Sequence, residues 1–121
     1  MTKILKHPLF HWSTFLLSIA IVLYAYFRPL PPEDLFEHSD KLGHIVAFLA
    51  LGLTARLALP AVKGMILWPT IIAMAPLFEY LQGAFRPLRI YNEYDVYANL
   101  VGVLLAMLIT RLFAEVLARK S

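Results

Sequence analysis

The sequence contains no cysteine and few charged residues, and both shortages narrow the kinds of protein that it can encode. Without cysteine the chain has no disulfide bonds, no thiolate ligands for metals or iron–sulfur clusters, and no cysteine nucleophile. Charged residues make up 16% of its 121 residues and hydrophobic residues 60%, which is too apolar for an ordinary soluble domain. The composition therefore indicates an integral membrane protein.

Apolar residues occur in four segments, each close to the length of about 20 residues that a membrane-spanning helix needs. We predict spans at residues 9–27, 42–59, 65–85 and 96–113, joined by short loops in one membrane domain that covers residues 1–121. The first span is longer than the apolar region of a typical signal peptide and lacks a convincing cleavage site, so we expect an uncleaved anchor. The predicted fold class is an all-α integral membrane protein, a four-transmembrane-helix bundle.

The basic residues are distributed unequally between the two sides of this bundle. Seven of the 11 lysines and arginines, but only one of the eight acidic residues, lie on the side that holds both termini. Since lysine and arginine in short loops are retained in the cytoplasm, we predict that both termini are cytoplasmic. The net charge of +3 comes from these flanking residues and does not indicate nucleic-acid binding.

Polar residues gather at the predicted outer ends of the second, third and fourth spans. Asp40 and His44 share one face of the second span, and Asp95 and Asn99 share one face of the fourth, because each pair is four residues apart. Glu79 and Gln82 lie on one stripe near the end of the third span. Antiparallel helices bring these groups to the same end of the bundle.

Glu79 is the most deeply placed of these polar residues. It lies six residues inside the end of its span, which is about 9 Å below the membrane boundary. A carboxylate at that depth requires a partner or water, and we expect His44 and Asn99 to be its partners. Pro76 would kink the helix just before Glu79 and widen this end of the bundle. We therefore predict a polar cavity that opens to the outer leaflet.

Small residues predict where helices approach closely. Ala98, Gly102 and Ala106 recur at every fourth position of the fourth span. Gly43 and Ala47 have the same spacing in the second span. Stripes of this kind allow two helices in a membrane to pack at short range, so we expect both to lie in interhelical contacts.

Several short motifs together resemble the VanZ-like family of membrane proteins. They are Asp-Lys-Leu-Gly-His at 40–44, Glu-Tyr-Leu-Gln at 79–82, Arg89, and Asp-Val-Tyr-Ala-Asn-Leu-Val-Gly at 95–102. The resemblance covers residues 39–106. The sequence departs from the family pattern at Ala106, where a second glycine is common, and at Glu93, where the loop is usually neutral.

The resemblance implies a multi-pass protein of the bacterial cytoplasmic membrane, in a family named for a member associated with teicoplanin resistance, and a role in the cell envelope. The family has no established reaction. The ligand-binding positions carried over from its pattern are Asp40, Lys41, His44, Glu79, Gln82, Arg89, Asp95 and Asn99.

Three functions fit these residues. The first is binding of an envelope lipid, a lipid-linked precursor or a glycopeptide-related ligand, with Lys41 and Arg89 attracting its phosphate or carboxylate. The second is an enzyme acting on a lipid-linked phosphate or ester, with His44, Glu79 and Asp95 as candidate catalytic residues. The third is an oligomeric permeation or helper subunit.

A purely structural interpretation is also open for four of these residues, since interfacial charges commonly form ion pairs and helix caps. They are Asp40, Lys41, Arg89 and Asp95. The sequence shows no defined spacing for a His–carboxylate metal site, and no metal or cofactor is expected. The expected partners are membrane lipids.

Overall fold

The computed structural model describes residues 3–28, 36, 39–86, 88 and 91–120. These residues form a short helix α1 and four long helices, so the predicted all-helical class is confirmed. The helices are α1 Lys3–Lys6, α2 Pro8–Phe27, α3 Ser39–Ala58, α4 Gly64–Phe85 and α5 Glu93–Lys120. Each of α2 to α5 is long and apolar enough to cross a membrane. The predicted spans match them closely, except that α5 continues seven residues past residue 113.

Local side-chain contacts account for several helix ends. His7 accepts a hydrogen bond on Nδ1 from the Leu9 backbone, and Pro8 at the first helical position has no N–H to satisfy. Asn92 caps α5 in the same manner, since its Oδ1 accepts from the Tyr94 backbone at 2.9 Å. Arg56 donates to the carbonyl oxygens of three residues of the α3–α4 turn, Leu59, Pro60 and Val62. These bonds define where the chain leaves one helix and enters the next.

Helix α3 packs most extensively against α5, less against α2 and least against α4, its neighbour in the chain. The turn between α3 and α4 is as short as the sequence predicts, but it does not make these two helices the main packing pair. Helix α4 instead rests mainly on α5, with further contacts to α2. The chain therefore folds so that two helices distant in sequence, α3 and α5, form the centre of the bundle.

Small residues explain why α3 and α5 approach so closely. A Cβ atom on Gly102 would collide with the carbonyl oxygen of Ile45 and lie 2.9 Å from the Leu49 amide nitrogen. On the other helix, a Cβ atom on Gly52 would lie 2.6 Å from the Cβ of Ala106. The prediction for the stripe in α5 is confirmed.

The prediction for the stripe in α3 was wrong at Gly43. A Cβ atom at Gly43 would meet nothing within 4 Å, so this glycine does not lie in a close helix contact. Gly52, two and a half turns further along α3, occupies that role. The repeat of small residues in the sequence does not show which face of α3 turns toward α5.

The bundle has a narrow core and an apolar exterior. Its centre contains Val22, Phe48, Leu51, Ile71 and Val103, and the aromatic rings of this region meet edge to face. Only 17–28% of the most apolar 18-residue window of each long helix is buried inside the bundle. The remaining apolar surface requires a nonpolar environment, which a lipid bilayer supplies.

Substitution of Gly102 by alanine tests the α3–α5 contact. Gly102→Ala should lower the free energy of unfolding by about 1–3 kcal/mol, because the new methyl group meets backbone atoms that cannot rotate away. Gly43→Ala is the matched control and should cause no loss, since its site is open and alanine favours helix. Unfolding in mixed micelles, followed by tryptophan fluorescence, measures both. Equal stability of the two variants would contradict the packing described here.

Candidate functional site: a buried His–carboxylate cluster

The polar residues meet at the end of the bundle where α2 and α4 finish and α3 and α5 begin, which we call the polar end. All four long helices contribute to this group because helices that follow one another in the chain run in opposite directions, so two of them end here and two begin here. We define the polar cluster as Tyr26, Lys41, His44, Glu79, Asp95 and Asn99. Its members come from four separate parts of the chain and meet only in the folded bundle.

Tyr26, His44 and Asn99 form a triangle of hydrogen-bonding groups. The Tyr26 hydroxyl lies 2.7 Å from His44 Nδ1, and Asn99 Oδ1 lies 2.9 Å from the same nitrogen. Asn99 Nδ2 donates to the Tyr26 hydroxyl at 2.6 Å. Since Asn99 and Tyr26 are almost fully buried, the triangle joins α2, α3 and α5 without help from solvent.

The contacts of the Asn99 amide favour the His44 tautomer in which Nδ1 carries the proton. Asn99 Nδ2 also faces the carbonyl oxygen of Ala75 at 3.4 Å, and a carbonyl can only accept, so the NH2 group belongs on that side. Asn99 Oδ1 then faces His44 Nδ1 and accepts its proton. The Nε2 atom of the neutral ring therefore carries the lone pair, and it lies 3.5 Å from Asp95 Oδ2.

Lys41 lies at the edge of the cluster between two carboxylates. Its ammonium group is 2.8 Å from Asp40 Oδ2 and 2.5 Å from Asp95 Oδ1. The exposed fraction of the side chain is 38% for Asp40, 25% for Lys41 and 12% for Asp95. Asp95 thus uses one oxygen for Lys41 and turns the other toward His44.

Glu79 has no exposed surface and is the least satisfied member of the cluster. Its Oε1 accepts one long hydrogen bond, 3.4 Å, from the backbone nitrogen of Asn92. Its Oε2 has no hydrogen-bond partner among the described residues. A buried carboxylate oxygen without a partner is costly and rare, and it marks a place where a ligand, a proton or an ion can bind.

His44, Glu79 and Asp95 are close enough to act on one bound group. Each offers one nitrogen or oxygen atom, and the three atoms lie within 4.8 Å of one another. A His beside two carboxylates can move a proton or coordinate a cation. The sequence predicted no metal site, because these three residues are far apart in the chain.

The structure brings together most of the residues that the sequence singled out. Lys41, His44, Glu79, Asp95 and Asn99 lie in the cluster, and Asp40 lies at its edge. Gln82 lies one turn from Glu79 and donates to the Tyr26 carbonyl oxygen at 3.0 Å, the interhelical bond expected of a buried amide. Arg89 lies outside the described residues.

Neither predicted partner forms a hydrogen bond with Glu79 among the described residues, although His44 offers an atom within 4.8 Å of it. The Asn99 amide is taken up by Tyr26, His44 and the Ala75 carbonyl. Asp95 takes its place beside Glu79, which puts two carboxylates next to each other. The reason is that Asp95 begins the first turn of α5, level with Glu79, whereas Asn99 lies one turn deeper.

Tyr26 is the site residue that sequence reasoning missed. A tyrosine near the end of a span is typically interfacial, yet the Tyr26 side chain is 3% exposed, whereas that of Tyr24 is 70% exposed. A signal was present, because Ser18, Val22 and Tyr26 are spaced by four residues and form the buried face of α2. A polar residue in mid-span at that spacing indicates the face directed toward the bundle.

No family model, curated protein or solved structure matches this chain. The function has to be argued from the geometry of the polar cluster.

Removal of the Asn99 side chain tests the hydrogen-bonded triangle. Asn99→Ala should destabilise the bundle by about 1–3 kcal/mol, since it leaves buried polar atoms of His44 and Tyr26 without a partner. Ser18→Ala is the control, because Ser18 is also buried but its Oγ has no hydrogen-bond partner among the described residues, so its loss should not destabilise the bundle. Thermal unfolding in mild detergent compares them. Similar losses in both variants would show that burial alone, and not the triangle, determines the effect.

Proposed function

We propose that this protein is a multi-pass protein of the bacterial cytoplasmic membrane, of the VanZ-like type, that binds the polar headgroup of a lipid-linked envelope component or a glycopeptide-related ligand. The polar cluster is the binding site and faces outward. The observation that carries this proposal is the buried Glu79 carboxylate, whose Oε2 has no partner among the described residues. Every member of the cluster except Tyr26 comes from the motifs that resemble the VanZ-like family.

The orientation follows from the charges at the two ends of the bundle. The end opposite the polar cluster carries the basic residues of α1, of the α3–α4 turn and of the last turn of α5. The positive-inside rule assigns that end to the cytoplasm. The polar cluster then lies on the outer side, where lipid-linked envelope components are accessible.

Labelling of single cysteines tests this topology, and the natural absence of cysteine makes every signal specific. Tyr94→Cys, at the polar end, should react with a membrane-impermeant maleimide on intact cells. Ala61→Cys, exposed in the turn between α3 and α4, should react only after the membrane is permeabilised. The reverse pattern would place the cluster on the cytoplasmic side and contradict the proposed ligand class.

Stability does not account for the polar cluster. Interhelical hydrogen bonds in a membrane contribute about 0.6 kcal/mol each on average, whereas burying a charged side chain there costs several kcal/mol. Apolar residues at the positions of Glu79 and Asp95 would make a more stable bundle. Ionisable residues that are kept inside a membrane bundle at such a cost generally serve function.

The described charges indicate which parts of a headgroup the cluster recognises. Lys41, the more exposed member, is suited to a phosphate at the edge of the site. Glu79 is suited to hydroxyl, amide or amine groups that donate hydrogen bonds. The rings of Tyr94 and Tyr97, which lie on either side of Asp95 in the chain, meet edge to face. Both are exposed and offer apolar surface to the lipid or sugar part of the ligand. A sugar phosphate attached to a lipid combines all three features.

The tautomer of His44 supports an enzyme as the second candidate. Its Nδ1 proton is held by an amide oxygen, so the Nε2 lone pair is oriented toward the cluster as a general base requires. The reaction would be the hydrolysis or transfer of a lipid-linked phosphate or ester. Asp95 and Glu79 would then orient the base and the substrate.

Mass spectrometry of co-purifying lipids tests the proposed function. Glu79→Gln should weaken the affinity for the bound lipid roughly 10- to 150-fold and so reduce the amount that co-purifies, since it removes a charged hydrogen-bond acceptor that contributes about 1.5–3 kcal/mol. Glu115→Gln, on the exposed part of α5 at the other end, is the control and should retain the lipid. Equal lipid content in all three proteins would overturn the binding function. Conversion of the lipid by the wild type, but not by His44→Ala, would identify the enzyme.

A further inference from the structure

We propose that His44, Glu79 and Asp95 form a binding site for one divalent transition-metal cation of the Zn2+ or Mn2+ class. The inference concerns the protein alone and does not depend on the identity of the envelope ligand. It rests on the spacing of the three side chains, on their unsatisfied lone pairs, on the groups that hold them from behind and on their charge.

The spacing suits ligands of a single metal ion. Two atoms that each lie about 2.1 Å from a metal ion, at a tetrahedral angle, are about 3.4 Å apart. His44 Nε2 and Asp95 Oδ2 are 3.5 Å apart, which fits this geometry and is too long for a good hydrogen bond. The Glu79 oxygen lies within 4.8 Å of both groups, so a movement of its carboxylate by about 1 Å completes the set.

The lone pairs that face one another require a positively charged partner. His44 Nε2 carries a lone pair in the tautomer favoured by Asn99, and the two carboxylates offer only acceptors when ionised. Glu79 Oε2 is fully buried and has no hydrogen-bond partner among the described residues. Three acceptors at such short range repel one another unless a cation or a proton lies between them.

Each of the three side chains is held from behind by a separate partner. His44 donates from Nδ1 to Asn99, Asp95 accepts from Lys41 on Oδ1, and Glu79 accepts from the Asn92 backbone on Oε1. In every case the other polar atom is left for the common centre. Metal-binding histidines and carboxylates in proteins are oriented by second contacts of this kind.

The charge and the ligand types narrow the choice of ion. Lys41 and the carboxylates of Asp40, Glu79 and Asp95 together carry two negative charges when all three acids are ionised, and a divalent cation would balance them. The other described charges of this end are Arg28, Arg86 and Glu93. One imidazole nitrogen favours a transition metal over Mg2+ or Ca2+, which prefer oxygen ligands. With three protein ligands the ion would keep an open position for water or for a phosphate oxygen.

Equilibrium dialysis of the purified, delipidated chain against Zn2+ tests this proposal, with a purification tag that lacks histidine. The wild type should bind one Zn2+ per chain. His44→Ala and Glu79→Gln should each weaken binding at least tenfold, because each removes one ligand. His11→Ala, at the opposite end of α2, is the control and should bind as the wild type does. X-ray absorption of the bound ion should show a shell of nitrogen and oxygen atoms with a single imidazole.

Two results would overturn the proposal. If the wild type binds neither Zn2+ nor Mn2+ at submillimolar concentration, a proton and not a metal ion lies between the carboxylates. If both site variants still bind the ion, or the absorption spectrum shows several imidazoles, the ion is held by surface histidines. Thermal unfolding of Glu79→Gln without metal shows whether the variant is folded. Since lipid is removed before the dialysis, a protein that binds no metal ion can still bind lipid. Equally, a protein that retains no lipid can still bind the metal ion.

Discussion

The polar cluster depends on the close contact between α3 and α5. Gly102 has no side chain, so the backbone of α5 can lie against the carbonyl of Ile45 on α3. That contact is one turn below His44 and Asn99 and two turns below Asp95, and it sets the distance between these groups. A wider separation of the two helices would leave His44 without the Asn99 oxygen that favours its tautomer. A packing constraint in the apolar region therefore controls the chemistry at the polar end.

Helix direction adds an electrostatic contribution at the same place. Helices α3 and α5 both begin at the polar end, and Asp40 and Asp95 lie in their first turns. The positive end of each helix dipole stabilises a carboxylate there by about 0.3–1 kcal/mol. Glu79 lies six residues before the end of α4, away from the first turn of any helix, and it has fewer partners. This difference fits the contacts observed: Asp95 accepts from Lys41 and faces His44, whereas Glu79 accepts one long hydrogen bond.

The sequence allowed the four long helices and their polar end to be predicted because both depend on local patterns. An apolar segment of about 20 residues has one favourable conformation in a membrane, since a helix satisfies every backbone hydrogen bond internally. Antiparallel connections then bring His44, Glu79 and Asn99 to one end. The burial of Asn99 was also predictable, because it adjoins the small-residue stripe of α5.

The partners of each polar group could not be predicted in this way. Whether Glu79 faces Asp95 or Asn99 depends on the rotation and axial shift of α4 relative to α5, and a difference of one turn, about 5 Å, changes the answer. The exposure of Gly43 and the burial of Tyr26 depend in the same way on how α3 and α2 are rotated.

The sequence by itself therefore determined that four apolar helices form, where each begins and ends to within a few residues except at the end of α5, and which end of the bundle is polar. The tertiary structure alone decided that α3 pairs with α5, that Tyr26 and Asn99 both lie within hydrogen-bond distance of His44 Nδ1, and that one imidazole and two carboxylates lie close together. The physical reason is the separation in sequence of the residues that interact. Helix formation depends on neighbouring residues in the chain, whereas the register between packed helices depends on contacts between residues as far apart as 26 and 99.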